Sequence, residues 1–210
     1  MANIITLVRL LLLVPLVVVA YTAAPQWQLF NAPLLIVIIL LDAVDGYVAR
    51  KRNETSLFGS IVDIAADRVV ENVLWLVLAH LNLVPVWVAI VFIVRGSLVD
   101  SIRYPAMSKG ETAFGMMRTP FGRFLVASRF MRGLYGTVKA VTWAWVLFTQ
   151  PWPQLFPELW GAWRPVLTDT TDALVFASVA LCLIRAVPVV AEFVAQHSFV
   201  PKAKAADGVG

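Results

Sequence analysis

Long apolar runs, each about the length of a membrane-spanning helix, dominate the pattern of residues along the chain. A helix needs about 20 apolar residues to cross the hydrocarbon core of a bilayer. Short polar stretches separate the runs, and the sequence shows no internal repeat. The pattern therefore predicts an all-α, polytopic membrane protein with six transmembrane helices. The predicted spans cover residues 4–22, 33–51, 60–81, 85–105, 132–150 and 172–195.

Composition strengthens the membrane assignment, because 60% of the 210 residues are hydrophobic and 14% are charged. A soluble domain of this length would need more polar surface. We expect one six-helix domain over residues 1–200 and a disordered cytoplasmic tail over residues 201–210. The basic residues lie beside apolar spans and lack an aromatic stacking platform, so nucleic acid is not an expected partner.

Lysine and arginine are distributed unevenly among the connections, which predicts the orientation of the spans. The connections near 22–32 and 81–85 contain neither residue, and the one near 151–171 contains Arg164 among tryptophans typical of an interfacial belt. The other connections are basic, and loops of that kind stay in the cytoplasm. We therefore expect both termini on the cytoplasmic side of a bacterial inner membrane.

Four aspartates lie on two helix faces near the predicted cytoplasmic end. Asp42 and Asp45 are three residues apart in the second span, and Asp63 and Asp67 are four apart in the third. Residues at these spacings share a helix face, so a short turn between the helices would bring the acidic faces together. Two divalent cations would cancel four carboxylates, and oxygen ligands favour a hard ion such as Mg²⁺, Mn²⁺ or Ca²⁺.

Two other interpretations of the aspartates stay open. One intramembrane aspartate can simply hydrogen-bond a neighbouring helix, although that role does not account for four acids in two stripes. A carboxylate-lined cation transporter also places acids between helices, but it spreads them through the membrane thickness and often contains a repeat. Here the acids lie beside Gly46, Ala49, Arg50 and Gly59, and small residues with an arginine favour a phosphate-containing ligand.

The stretch from Asp42 to Asp67 reads D-x-x-D-G-x-x-A-R-x8-G-x3-D-x3-D. It resembles the signature of the CDP-alcohol phosphotransferase family, whose members have six transmembrane helices and a site open to the cytoplasm. The start of the chain is also similar to the family, since Asn3, Thr6 and Arg9 match an N-x-x-T-x-x-R pattern common in bacterial glycerophosphate-type members.

The resemblance implies a membrane enzyme of phospholipid synthesis, with a catalytic domain that transfers a phosphatidyl group from CDP-diacylglycerol to an alcohol and releases CMP. It implies two divalent metal ions, Mg²⁺ or Mn²⁺, held by Asp42, Asp45 and Asp63, with Asp67 as a fourth ligand or the general base. It also implies a homodimer. The residues implied to bind the CDP donor are Thr6, Gly46, Ala49, Arg50 and Gly59.

Cations inside the spans bear on the acceptor alcohol. Charges within spans usually face a cavity, and a basic pocket beside the metals suits an acceptor that carries a phosphate. We expect glycerol 3-phosphate first, inositol phosphate second and serine third. The role of Arg185 stays open between pairing with Glu192 and stabilising Glu71. The residues predicted to bind the acceptor phosphate are Arg95, Arg103, Arg132 and Lys139.

Overall fold

The computed structural model describes residues 2–52, 57–108 and 119–196, and its regular structure there is helical. Among these residues, six helices contain 21 residues or more, and three are shorter. The helices are α1 (Ala2–Thr22), α2 (Pro25–Gln28), α3 (Asn31–Arg52), α4 (Leu57–His80), α5 (Val86–Ser108), α6 (Pro120–Ala127), α7 (Arg129–Thr149), α8 (Trp152–Leu155) and α9 (Pro157–Gln196). The predicted tail over residues 201–210 lies outside the described residues.

Each predicted span coincides with one of the six long helices, so the all-α prediction is confirmed. The last helix is longer than predicted, because α9 begins at Pro157, where we expected a connection up to residue 171. The hydroxyl groups of Thr168, Thr170 and Thr171 each donate to a backbone carbonyl one turn earlier. These local hydrogen bonds accommodate polar residues inside the helix, and a hydropathy pattern does not register them.

Within the described ranges, three helical segments are long and apolar enough to cross a membrane: Ile5–Thr22, Pro25–Val44 and Pro157–Ala195. This supports a membrane protein, while the count of six spans stays a prediction. Helix α9 has 40 residues, which corresponds to about 60 Å at about 1.5 Å per residue. The hydrocarbon core is about 30 Å thick, so α9 extends well beyond it or is strongly tilted.

The six long helices form a ring. Helix α1 packs against α3, α3 against α7, α7 against α9, α9 against α5, α5 against α4, and α4 against α1. Helices α1 and α4 run in the same direction, because Arg9 meets Asp67 in their N-terminal halves and Tyr21 meets His80 at their C-terminal ends. This places His80 far from the aspartates, as its sequence position suggests. The short helix α6 packs against α7 and α9.

Helix α1 illustrates how spacing in the sequence produces the ring. Residues separated alternately by three and four positions are buried against the neighbouring helices, and apolar side chains on the opposite face are exposed. An exposed apolar face is what contact with lipid requires. The buried stripe comprises Thr6, Arg9, Leu13, Leu16 and Ala20, and the exposed stripe comprises Leu7, Leu11, Val14 and Val18.

An aromatic layer fills the interior of the ring beyond the aspartates. The fully buried Trp75 ring of α4 stacks on Phe92 of α5 with 4.4 Å between centroids. Trp143 of α7 meets Trp75 edge-on at 5.6 Å. Because these three side chains come from three helices, their contacts hold the ring together at this level.

The aromatic layer predicts a large cost for truncating Trp75. Trp75→Ala should lower the free energy of unfolding by about 3–5 kcal/mol, since it removes a fully buried indole and leaves a cavity. Thermal unfolding in detergent measures the change. The control is Leu76→Ala. Leu76 follows Trp75 in the sequence, but its side chain is exposed and should tolerate the change. Equal losses for the two variants would contradict the assigned role of the layer.

Candidate active site

A cavity of about 630 Å³ lies inside the ring and is lined by side chains from all six long helices. This size is typical of small-molecule sites, which span about 300–1,000 Å³. Its charged side chains are Arg9 and the members of two groups. The acidic cluster consists of Asp42 and Asp67, which line the cavity, and Asp63 beside them. The basic chamber consists of Arg68, Glu71, Arg95, Asp100, Lys139 and Arg185.

The acidic cluster joins two helices, since Asp42 belongs to α3 and Asp63 and Asp67 belong to α4. One carboxylate oxygen from each residue lies within 4.8 Å of the others. The side chains are 42%, 49% and 51% exposed, so each carboxylate can still be reached by a ligand. Three oxygen donors at this separation fit a divalent ion that prefers hard ligands.

Arg9 of α1 contacts all three carboxylates of the acidic cluster. Its Nη1 lies 2.6 Å from Asp42 Oδ1 and 3.6 Å from Asp63 Oδ1, and its Nη2 donates to Asp67 Oδ1 at 2.9 Å. The Arg9 side chain is 4% exposed, whereas the carboxylates are half exposed. The guanidinium therefore lies on the inner side of the cluster and leaves its outer side open to a ligand.

The sequence contained a signal for Arg9 that we did not use. Arg9 is the one charged residue of the otherwise uncharged helix α1, and an isolated charge within a span usually has a functional partner. The N-x-x-T-x-x-R pattern also included it. We assigned it no site role, because spacing alone does not show which helix faces α1.

The predicted donor-binding residues are only partly described. Thr6 is buried on α1, three residues before Arg9 and on the same face, so it lies close to the acidic cluster. Gly59 is partly buried in the first turn of α4. Helix α3 also carries Asp45, Gly46, Ala49 and Arg50, whose side chains lie outside the described part of the chain.

Glu71 lies at the centre of the basic chamber. It is 5% exposed and one helical turn beyond Asp67 on the same face of α4. Its Oε1 accepts hydrogen bonds from Lys139 Nζ at 2.5 Å and from the Tyr135 hydroxyl at 3.2 Å. Its Oε2 accepts from Arg68 Nη1 at 2.5 Å. The two carboxylate oxygens are thus engaged by helices α4 and α7.

Arg68 links Glu71 to helix α5. Its Nε and Nη2 donate to the two carboxylate oxygens of Asp100 at 2.5 and 3.0 Å, a bidentate pair. We missed Arg68, Glu71 and Asp100 as site residues. The available signal was charge inside predicted spans, because lipid-facing positions rarely carry it. Arg68 and Glu71 lie three residues apart in the third predicted span, and Asp100 lies in the fourth.

Arg95 and Arg185 approach the same aromatic ring from different helices. Their guanidinium carbons lie 5.6 and 5.4 Å from the centroid of Tyr135, and Lys139 Nζ lies 4.4 Å from it. Arg185 also donates to the carbonyl oxygens of Leu125 and Val126 at 3.0 and 3.3 Å. Those carbonyls belong to the last turn of α6, where intrahelical donors run out.

The position of Arg185 differs from both alternatives that the sequence left open. It caps α6, while Glu192 accepts hydrogen bonds from the backbone N–H and the hydroxyl of Thr119. Among the predicted acceptor residues, the structure brings Arg95 and Lys139 into the cavity. Arg132 is exposed in the first turn of α7 and is not among the described residues that line the cavity. The side chain of Arg103 lies outside the described residues.

Comparison with known proteins identifies the family of the chain. The model of the CDP-alcohol phosphatidyltransferase family matches residues 1–152. The chain belongs to the CDP-alcohol phosphatidyltransferase family. The matched region contains the whole acidic cluster and, apart from Arg185, the whole basic chamber.

Two curated relatives of this family member carry the name CDP-diacylglycerol--glycerol-3-phosphate 3-phosphatidyltransferase. The protein from Bacillus subtilis (strain 168) is 34% identical over 93 residues, which cover 44% of this chain and 48% of the relative. The protein from Wigglesworthia glossinidia brevipalpis is 31% identical over 101 residues, which cover 47% and 55%. The chain thus spans about half the length of the curated relatives it matches.

The contacts of Arg9 predict that it stabilises the acidic cluster before any ligand binds. Arg9→Met should lower the free energy of unfolding in EDTA by about 1–3 kcal/mol, because it leaves three neighbouring carboxylates without their shared cation. Thermal unfolding in detergent measures this. Arg164→Met, the same change at an exposed arginine of α9, is the matched control. Equal changes in the free energy of unfolding for the two variants would argue against this role.

Proposed function

We propose that this family member transfers a phosphatidyl group from CDP-diacylglycerol to glycerol 3-phosphate, which forms phosphatidylglycerophosphate and releases CMP. The observation that carries the proposal is that one cavity contains both a carboxylate cluster and a chamber of cations. The names of the two relatives support the same donor and acceptor.

The acidic cluster is the proposed metal centre. Asp42, Asp63 and Asp67, together with Asp45 of the same signature, would hold two divalent ions, Mg²⁺ or Mn²⁺. When bound, the ions would supply positive charge to the donor pyrophosphate and to the leaving CMP. Thr6, Gly46, Ala49, Arg50 and Gly59 remain the residues proposed to bind the donor.

Asp67 has the best position among the acids to act on the acceptor hydroxyl. It is the member of the acidic cluster nearest along α4 to Glu71 and the basic chamber, and its side chain is half exposed. Arg9 donates to its Oδ1, which fixes the orientation of the carboxylate. The second oxygen can then ligate a metal or accept the proton of the attacking hydroxyl.

The basic chamber is the proposed site of the acceptor phosphate. Arg95, Arg185 and Lys139 surround the Tyr135 ring. Lys139 is paired with Glu71, but neither guanidinium has a carboxylate partner among the described residues. Two such arginines suit a phosphate, to which guanidinium groups can donate pairs of hydrogen bonds. Inositol phosphate meets the same requirement, whereas serine offers one carboxylate whose charge is offset by its own ammonium group, so it would leave most of the positive charge uncompensated.

The membrane arrangement follows from the sequence and remains part of the proposal. Six spans would place both termini and the acidic end of the cavity on the cytoplasmic side of a bacterial inner membrane. The donor lipid would enter from the bilayer, and the polar acceptor from the cytoplasm. A homodimer is proposed on the family resemblance.

A carboxylate-lined cation transporter is less well supported. The carboxylates of the acidic cluster lie at one end of the ring and already contact the Arg9 guanidinium. The adjoining chamber carries an excess of cations, which would repel a transported cation.

The proposed reaction predicts release of CMP from CDP-diacylglycerol in Mg²⁺ or Mn²⁺, and its loss in EDTA. Glycerol 3-phosphate, inositol phosphate and serine should be compared in parallel with the purified protein, with glycerol 3-phosphate expected to react fastest. Asp67→Asn should reduce kcat by at least about 100-fold, because it removes the proposed base or ligand. Activity with serine alone would refute the acceptor assignment. If no acceptor releases CMP, the proposed enzyme activity is wrong.

The position of Arg95 predicts a selective effect on the acceptor. Arg95→Met should raise the KM for glycerol 3-phosphate by about tenfold or more, because it removes a charge-assisted contact to phosphate. The KM for CDP-diacylglycerol should change little, since Arg95 lies in the chamber and not in the acidic cluster. Initial rates with each substrate varied in turn measure the two constants. A rise confined to the KM for CDP-diacylglycerol would mean that the acceptor phosphate does not bind at Arg95.

A further inference from the structure

Glu71 is a buried carboxylate that the proposed reaction does not use. It continues the acidic face of α4, one turn beyond Asp67, yet it lies outside the group of carboxylates that could share a metal. Both of its oxygens accept hydrogen bonds, from Arg68, Lys139 and Tyr135. Glu71 therefore acts on the cations of the basic chamber.

Neutralising the neighbouring cations does not by itself explain why a carboxylate is buried at position 71. A buried ion pair can often be replaced by apolar side chains without loss of stability, so stability alone gives little reason to keep it. The chamber also retains more cations than anions. The six residues that define the chamber are four cations and two carboxylates, which leaves an excess of two positive charges; Arg9, Asp42 and Asp67, which also line the cavity, belong to its acidic end and are not counted.

The excess matches one class of ligand. A phosphate monoester carries a charge of about −1.5 to −2 near neutral pH. An acceptor without a phosphate would leave the excess uncompensated inside the ring, and a ligand with more phosphates would exceed it. The charge of the chamber therefore favours a single phosphate monoester.

The position of Lys139 depends on the same carboxylate. Its ammonium lies 2.5 Å from Glu71 Oε1 and 4.4 Å from the Tyr135 centroid. Arg95 and Arg185 lie near the same ring without a carboxylate partner among the described residues. Glu71 thus holds Lys139 in place and leaves the two arginines as the contacts for an incoming phosphate.

We propose that Glu71 is a specificity-determining and positioning residue, which sets the positive excess of the basic chamber to that of one phosphate monoester and restrains Lys139. The inference rests on the proposed function for the identity of the acceptor. It does not require Glu71 to touch the acceptor or the metals.

The test combines three variants of the full-length protein in lipid nanodiscs: Glu71→Gln, Lys139→Met and the double variant. Inorganic phosphate is the probe, and its Kd is measured by thermal shift without metal or donor. Glu71→Gln should lower the Kd by about tenfold, because it adds one positive charge to the excess. Lys139→Met should raise the Kd by a similar factor. The double variant should return to within about threefold of the wild-type value, since its formal charge is restored.

Steady-state kinetics provide the second readout. Glu71→Gln should lower both the KM for glycerol 3-phosphate and kcat, because the freed Lys139 holds the phosphate away from its productive position. Glu71→Asp should retain the wild-type phosphate Kd, since it keeps the charge. Glu158→Gln removes an exposed carboxylate of α9 and should change neither constant.

Two results would overturn the inference. The first is an unchanged phosphate Kd in Glu71→Gln with a lowered melting temperature, which would make Glu71 a structural residue. The second is a double variant that binds phosphate as tightly as Glu71→Gln. Failure of the proposed reaction is distinguishable, because wild-type protein would then release no CMP while the ordered series of phosphate Kd values would still support the role of Glu71.

Discussion

Compensation of buried charge is the constraint on which the arrangement of this protein depends. Ionised side chains inside a ring of apolar helices need counter-charges or polar partners, because the surrounding hydrocarbon offers none. Arg9 meets three carboxylates, and Glu71 meets two cations. Within the described cavity wall, Arg95 and Arg185 have the face of Tyr135 in place of a carboxylate. An aromatic face compensates a cation only in part, so the proposed acceptor anion would complete the compensation of charge in the chamber.

The order of helices in the ring decides which charges meet. Helix α1 packs against both α3 and α4, which carry the acidic cluster, and so its single arginine reaches aspartates of two helices. A simple hairpin of α3 and α4 would bring the same carboxylates together without a cation between them. The parallel course of α1 and α4 then continues this contact to the other end of the ring, where Tyr21 meets His80. The first helix is therefore part of the site, although its sequence is almost wholly apolar.

The features that could be predicted from the sequence are those that depend on helical periodicity. Apolar run lengths located the six long helices, and steps of three and four placed Asp42, Asp63 and Asp67 on facing surfaces. Periodicity assigns a residue to a face, but it does not identify the helix that the face contacts. The pairing of Arg68 with Asp100, 32 residues apart, and the contact of Arg185 with the end of α6 depend on the ring order. The early start of α9 was missed because threonine hydroxyls satisfied by backbone carbonyls look polar in a hydropathy pattern.

The separation of the two charged groups has a chemical consequence for the proposed reaction. Both proposed substrates are anionic. A single set of cations would bind the phosphate of either one and could not give the donor and the acceptor separate positions. In the proposed reaction the donor pyrophosphate would be bound through metals held by the carboxylates, whereas the acceptor phosphate would meet guanidinium groups directly. If the acidic and basic groups were mixed, they would pair with each other and bind neither substrate. Arg68 and Glu71 lie between them on α4 and are bound to each other and to Asp100, Lys139 and Tyr135. These internal contacts keep the carboxylates of the acidic cluster apart from Arg95 and Arg185. In the proposed reaction the metals held by the cluster would therefore meet the donor, and the two arginines would meet the acceptor.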